Sequence, residues 1–167
     1  FGRRRNRDLL AKVRQVIRDV NPNLEYIALA SACDMPAYWW DGRIRGRHAL
    51  EELVKFADGI LVSAYFYNLP GGLKSVRPLL QTVRQFAVQA GREVETGLIS
   101  PLAGTVSETP RYRKLRMHPD DVRLLILQTI ANRGRILSLF RGDCFDGEHY
   151  LAARRAMAEA VKLQPYI

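Results

Sequence analysis

Four times in this 167-residue chain a short apolar run leads into an amphipathic helix pattern, and this alternation limits the fold more than any other feature. The runs are Tyr26-Ile-Ala-Leu-Ala-Ser31, Ile60-Leu-Val-Ser-Ala-Tyr65, Val94-Glu-Thr-Gly-Leu-Ile-Ser100 and Ile136-Leu-Ser-Leu-Phe140. Short and nearly continuous in apolar character, they read as parallel strands buried on both faces. Their starts lie 34 to 42 residues apart, the length of a strand–loop–helix unit. A further helix pattern precedes the first run. The predicted order is therefore α-β-α-β-α-β-α-β-α, an α/β fold of parallel βα repeats with four strands and about five helices. Ligands of such folds bind at the carboxyl ends of the strands. Function is to be sought in the residues that follow each run.

Helical spacing of apolar residues predicts where the helices lie and what they bury. The first runs from about Asp8 to Val20 with Leu9, Leu10, Val13, Val16, Ile17 and Val20 on one face, and Asn21-Pro22-Asn23 ends it. The second, about His48 to Ala57, turns Leu50, Leu53, Val54 and Ala57 inward before Asp58-Gly59. The third, about Ser75 to Gln89, buries Leu79, Leu80, Val83, Phe86 and Ala87, with Gly91 as its C-terminal cap. His118-Pro119-Asp120-Asp121 opens the fourth, which buries Val122, Leu125, Ile126 and Ile130 and stops at Gly134. The last, about Glu148 to Lys162, is expected to bury Leu151, Met157, Ala160 and Val161. Between the third run and the fourth helix, residues 101–117 read as a long polar exit loop, a candidate lid or rim.

Composition excludes several classes. No apolar run approaches the eighteen or so residues of a membrane span. Two cysteines, Cys33 and Cys144, are too few for a disulfide framework and match no zinc spacing; two loop thiols and a single bridge both remain open, so compartment is undecided. No phosphate-binding glycine loop and no G-x-S-x-G elbow follows any run. No cofactor is called for. The net charge of +9 invites a nucleic-acid reading, but its arginines are spread over every segment instead of concentrated on one element. Phe1 stands where an initiating methionine would, and we read the chain as one α/β unit, residues 1–167, cut from a larger domain.

Collected at one end, the residues beyond the runs form one candidate face. The first run contributes Asp34, Tyr38, Trp39, Trp40 and Asp41; the second Tyr65, Tyr67 and Asn68; the third Ser100 and Thr105; the fourth Arg141, Asp143 and Asp146. Aromatic platforms beside carboxylates and an arginine suit a sugar, whose ring has an apolar face for stacking and hydroxyls for hydrogen bonds. Each residue also has a structural reading. Trp39 and Trp40 cover the sheet end, Asp146 caps the last helix, Asp143 braces Arg141, and Asp34 caps a turn before Pro36. His149, in the first turn of a helix, is expected to be solvated, and an Asp143/Asp146/His149 metal site is the weakest option. His48 and His118 sit at helix starts and read as structural. Glu95, at the opposite end of its strand, is expected in an internal ion pair.

Three stretches carry a family resemblance: Asn21-Pro22-Asn23-Leu24-Glu25-Tyr26; Phe56-Ala57-Asp58-Gly59-Ile60 leading to Tyr65-Phe66-Tyr67; and Asn132-Arg133-Gly134-Arg135-Ile136-Leu137 before Phe145-Asp146-Gly147. They resemble the later half of a glycoside-hydrolase-type (β/α)8 barrel. The resemblance implies that the four strands are the fifth to eighth of such a barrel and the first helix its fourth. Its catalytic carboxylates commonly end the fourth and a later strand; the fourth is absent here, and the seventh ends in Leu98-Ile99-Ser100-Pro101 without one. Asp34 would then be the acid on the fifth strand and Asp143 a carboxylate on the eighth. Tyr38, Trp39, Trp40, Tyr65, Tyr67, Asn68, Arg141 and Asp146 would contact the sugar. The implied activity is carbohydrate binding or hydrolysis by paired carboxylates. The implied partner is the missing N-terminal half of the barrel or, in its place, a homodimer mate, because a half barrel exposes two strand edges. Two other readings stand beside this one: a basic open sheet that binds nucleic acid, and an inactive structural barrel piece.

Overall fold

The four apolar runs become the four strands of one parallel sheet. The computed structural model describes residues 2–31, 47–64, 72–101, 103–108, 111–140 and 145–163. Its elements follow as α1 (Gly2–Val20), β1 (Ile27–Ser31), α2 (Arg47–Phe56), β2 (Gly59–Ser63), α3 (Val76–Gln89, entered through a 3-10 turn, Gly72–Ser75), β3 (Glu95–Pro101), β4 (Ala103–Glu108), β5 (Arg111–Arg116), α4 (Pro119–Ala131), β6 (Ile136–Phe140) and α5 (Gly147–Leu163). The sheet order is β1-β2-β3-β6, every pair parallel. Each βα unit thus lies beside the next and the winding never reverses. Right-handed crossovers then place the connecting helices on one face. Accordingly α1 packs on α2, α2 on α3, α3 on α4, and α4 on α5.

Period-two alternation decides what each face carries. Ala28, Ala30, Ile60, Val62 and Leu98 point toward the helices and join Leu50, Val54, Leu79, Leu80, Val83, Val122 and Leu125 in one buried core. Ile27, Leu29, Leu61, Ile99 and Ile136 alternate with them onto the other face. There Ile27 and Leu29 are 42% and 60% exposed, and the other three are half-buried. The sheet is therefore apolar on both faces and, among the described residues, covered on one. On the open face β2, β3 and β6 approach closely at Gly97: a Cβ there would lie 2.7 Å from Leu61 Cδ2 and overlap the Ile136 carbonyl.

Helix ends follow local chemistry. His118 caps α4 by accepting the Asp120 N–H at Nδ1 (3.3 Å), with Pro119 in the first turn. Gly91 ends α3 at φ +65°, a conformation that costs an L side chain energy, while the Arg92 N–H donates back to the Ala87 carbonyl. Gly91→Ala is expected to lower stability by about 1 kcal/mol, read as a reduced denaturant midpoint with unchanged slope.

Three expectations are corrected. First, α1 starts at Gly2 and not near Asp8, and its apolar stripe is wider than its contact. Leu10, Val13 and Ile17 are half-buried, whereas Leu9, Val16 and Val20 are exposed. Second, α5 buries His149, Ala152, Ala156 and Ala160 and exposes Leu151, Met157 and Val161. Small residues let α5 lie close against α4, and the Arg123–Glu159 pair (3.0 and 2.6 Å) ties the two helices on that rotation. The hydrogen bond from Arg123 holds the Glu159 carboxyl below its ordinary range. Third, the expected loop at 101–117 contains an antiparallel pair, β4–β5, in register from Ala103↔Arg116 to Glu108↔Arg111. Thr105, Val106 and Tyr112 favour extended backbone, and two residues, Thr109-Pro110, connect the strands.

Candidate functional site

Parallel strands in nearly level register end together. Ser31 stands opposite Ser63, Ser63 opposite Ile99, and Pro101 opposite Phe140. The segments that leave β1, β2, β3 and β6 therefore start from one edge of the sheet. Asp34, Tyr38, Trp39, Trp40, Asp41, Tyr65, Tyr67, Asn68, Arg141, Asp143 and both cysteines belong to those segments and lie outside the described residues, as does Thr105 in its side chain.

Asp146 is described, and it caps α5. Its Oδ1 accepts the backbone N–H groups of Glu148 and His149, each at 3.1 Å, and lies 2.6 Å from His149 Nδ1. His149 is not solvated: it is 2% exposed, and its Nε2 lies 2.8 Å from the Met117 carbonyl oxygen. A carbonyl only accepts, so Nε2 carries a hydrogen toward Met117, while Nδ1 faces the Asp146 carboxyl. Phe145 closes over this clamp, tilted against His149 at 5.7 Å and edge-on to Tyr150 at 4.5 Å. The clamp joins the start of α5, which follows β6, to Met117 in the two-residue link between β5 and α4. It thereby links the exits of β3 and β6 at the carboxyl edge. Both ring nitrogens being engaged, His149 is not arranged as a metal ligand, and among the described residues no group of three or more His, Cys, Asp or Glu could hold a metal ion.

The opposite edge is organised around a carboxylate that spacing arguments missed. Asp58 receives Arg14 (3.2 Å), Arg18 (3.3 Å) and Arg92 (3.4 Å), together with the Tyr26 N–H at 3.0 Å. Burial pushes its carboxyl up, but the Tyr26 hydrogen bond and the three guanidinium charges outweigh burial and hold it below its ordinary range. The arginines also reach backbone: Arg14 donates to the Phe56 carbonyl, Arg18 to that of Pro22, and Arg92 to those of Lys55 (2.7 Å) and Ala57 (3.2 Å). Arg14 and Arg18 are four residues apart on α1, which puts both on one face. That spacing was the available signal. Beside this cluster Glu95 pairs with Arg135 at 2.8 Å; an ion pair was expected of it, but this one is at the surface and not internal, with Arg135 largely exposed. This edge has the character of the stabilising end of a βα fold.

A surface depression of about 440 Å³ is lined by Gln81, Arg84, Gln85, Val88 and Gln89, all on α3, and a single helix surface does not enclose a ligand. Among the described residues no helix is long and apolar enough to cross a membrane. No protein-family model, curated protein or solved structure matches this chain.

Proposed function

We propose that this chain binds carbohydrate at the carboxyl edge of its sheet, as part of a glycosidase-like barrel. The observation that carries the reading is the shared edge: one-directional parallel winding gathers the four strand exits at one end. Those exits hold the aromatic residues Tyr38, Trp39, Trp40, Tyr65 and Tyr67 and the polar residues Asp34, Asn68, Arg141 and Asp143. Stacking on the aromatic rings would supply affinity, and the carboxylates and Arg141 would orient the hydroxyls. Asp146 enters this reading as a positioning residue, since it fixes the start of α5 below the β6 exit.

Strand spacing supports binding over hydrolysis in this reading. β1 and β6 are the outer strands, three spacings or about 14 Å apart at the backbone. Carboxylates that cleave a glycosidic bond stand roughly 5 to 10 Å apart. Asp34 and Asp143 leave from those outer strands, so within one copy the reading assigns them sugar contacts before paired acid–base catalysis.

Tryptophan emission tests this directly, because Trp39 and Trp40 are the only two tryptophans in the chain. Soluble oligosaccharides are expected to change the emission saturably, with affinity nearly constant from roughly 50 to 200 mM salt, where phosphate-dominated binding falls steeply. Silence toward every sugar, with a salt-sensitive response to oligonucleotides, would instead support the basic-sheet reading.

A further inference from the structure

We propose that a second copy of this chain closes the open sheet into an eight-stranded parallel ring, β6 of each copy pairing with β1 of the other. The inference rests on the barrel-like winding in the reading above and is independent of any sugar.

The sheet face left uncovered among the described residues carries Ile27, Leu29, Leu61, Ile99 and Ile136, the branched aliphatic side chains that fill the interior of a parallel barrel. A parallel sheet with one bare apolar face is not a stable end point in water. The two ends of the layer are also unfinished. Among the described residues no strand pairs with the outer side of β1 or of β6. Both are five-residue strands running in the same sense, so one can extend the other's ladder as a parallel neighbour.

The flanking helices repeat the pattern. On α1, Leu9, Val16 and Val20 are 59%, 61% and 76% exposed; on α5, Tyr150, Met157 and Val161 are 64%, 55% and 66% exposed. Both sets have the spacing i, i+7, i+11, a stripe along one helix face. Among the described residues, each end of the layer thus presents an open strand edge beside an apolar helix stripe.

A second copy fits these ends better than an unrelated partner. Turned by half a revolution about the ring axis, it brings its α1–β1 end to the α5–β6 end of the first, and the same contact forms again on the far side. Four strands from each copy give eight, the number at which a parallel barrel's interior is just filled by its own side chains. The exits of β6 and of the partner's β1 would then start one strand spacing apart, about 5 Å, instead of three. A ring of two copies therefore brings together the edge segments that one copy holds apart.

Sedimentation velocity on the intact chain tests the proposal. The expected species is a dimer of twice the 19.0 kDa chain mass, converted to monomer by Leu29→Glu and by Val16→Glu, both at positions exposed in the single copy. Hydrogen exchange provides a readout that needs no variant: amides of β1 and β6 should be protected at concentrations that favour the dimer and lose protection on dilution. A monodisperse folded monomer overturns the proposal. So does an assembly insensitive to both substitutions whose β1 and β6 amides exchange freely. Either failure leaves the emission test of sugar binding standing, since that test reads the two tryptophans at any oligomeric state.

Discussion

Asp58→Ala is expected to lower stability by about 3 kcal/mol. Breaking a buried ion pair from one side costs about 3–5 kcal/mol, and this site falls at the low end because its arginines are a quarter to two-fifths exposed and partly screened by solvent. The loss strands three guanidinium groups and the Tyr26 N–H together. Asp58→Asn keeps an acceptor for Tyr26 and removes the charge, so it should cost less. The pH dependence has a definite sign. The folded-state carboxyl lies below its unfolded value of about 3.9, so the native state binds fewer protons there. The contribution of Asp58 is full above about pH 4 and disappears as pH falls through the folded value. Urea midpoints of the chain and of Asp58→Asn should therefore differ at neutral pH, and the gap should narrow as pH falls below the unfolded value and through the folded one. A constant gap across that range would mean that the carboxylate charge contributes nothing.

His149→Ala is expected to cost about 3 kcal/mol, combining a buried cavity with an orphaned Met117 carbonyl. For a chain of this size that corresponds to a fall in Tm of about 6 to 12 °C. His149→Phe separates the two parts: it retains ring volume and contact with Phe145 but leaves the carbonyl without its donor, and should cost about 1–3 kcal/mol. Equal stability of His149→Phe and the parent chain would show that the clamp is packing alone.

The architecture was legible because its signals are local and repeated. Every strand of the parallel sheet was read to within two residues, and Gly91 and His118 were read as the helix boundaries they form. The helix faces were legible only where a helix has neighbours on both sides. Leu79, Leu80 and Val83 on α3 are fully buried as expected, because α2 and α4 flank that helix. On α1 and α5 the same apolar spacing produces stripes that face outward, since periodicity states which residues share a face and not what covers it. His149 was misread for a related reason. A histidine in a first helical turn is usually wet, and its burial depends on Met117, thirty-two residues away in sequence. The Asp58 cluster likewise joins residues from α1, the start of β1 and the α3–β3 connection, a convergence that exists only after folding. For the candidate site the sequence supplied the residue types, and the fold supplied the common edge from which their segments depart.

The most direct measurement is amide chemical-shift mapping of the labelled chain during titration with an oligosaccharide that alters its tryptophan emission. Binding at the carboxyl edge predicts perturbations at Ser31, Ala64 and Phe145, while Tyr26, Asp58 and Glu95 at the amino edge stay unchanged. Perturbations confined to the Asp58 edge, or spectra unchanged by every sugar offered, would contradict the account.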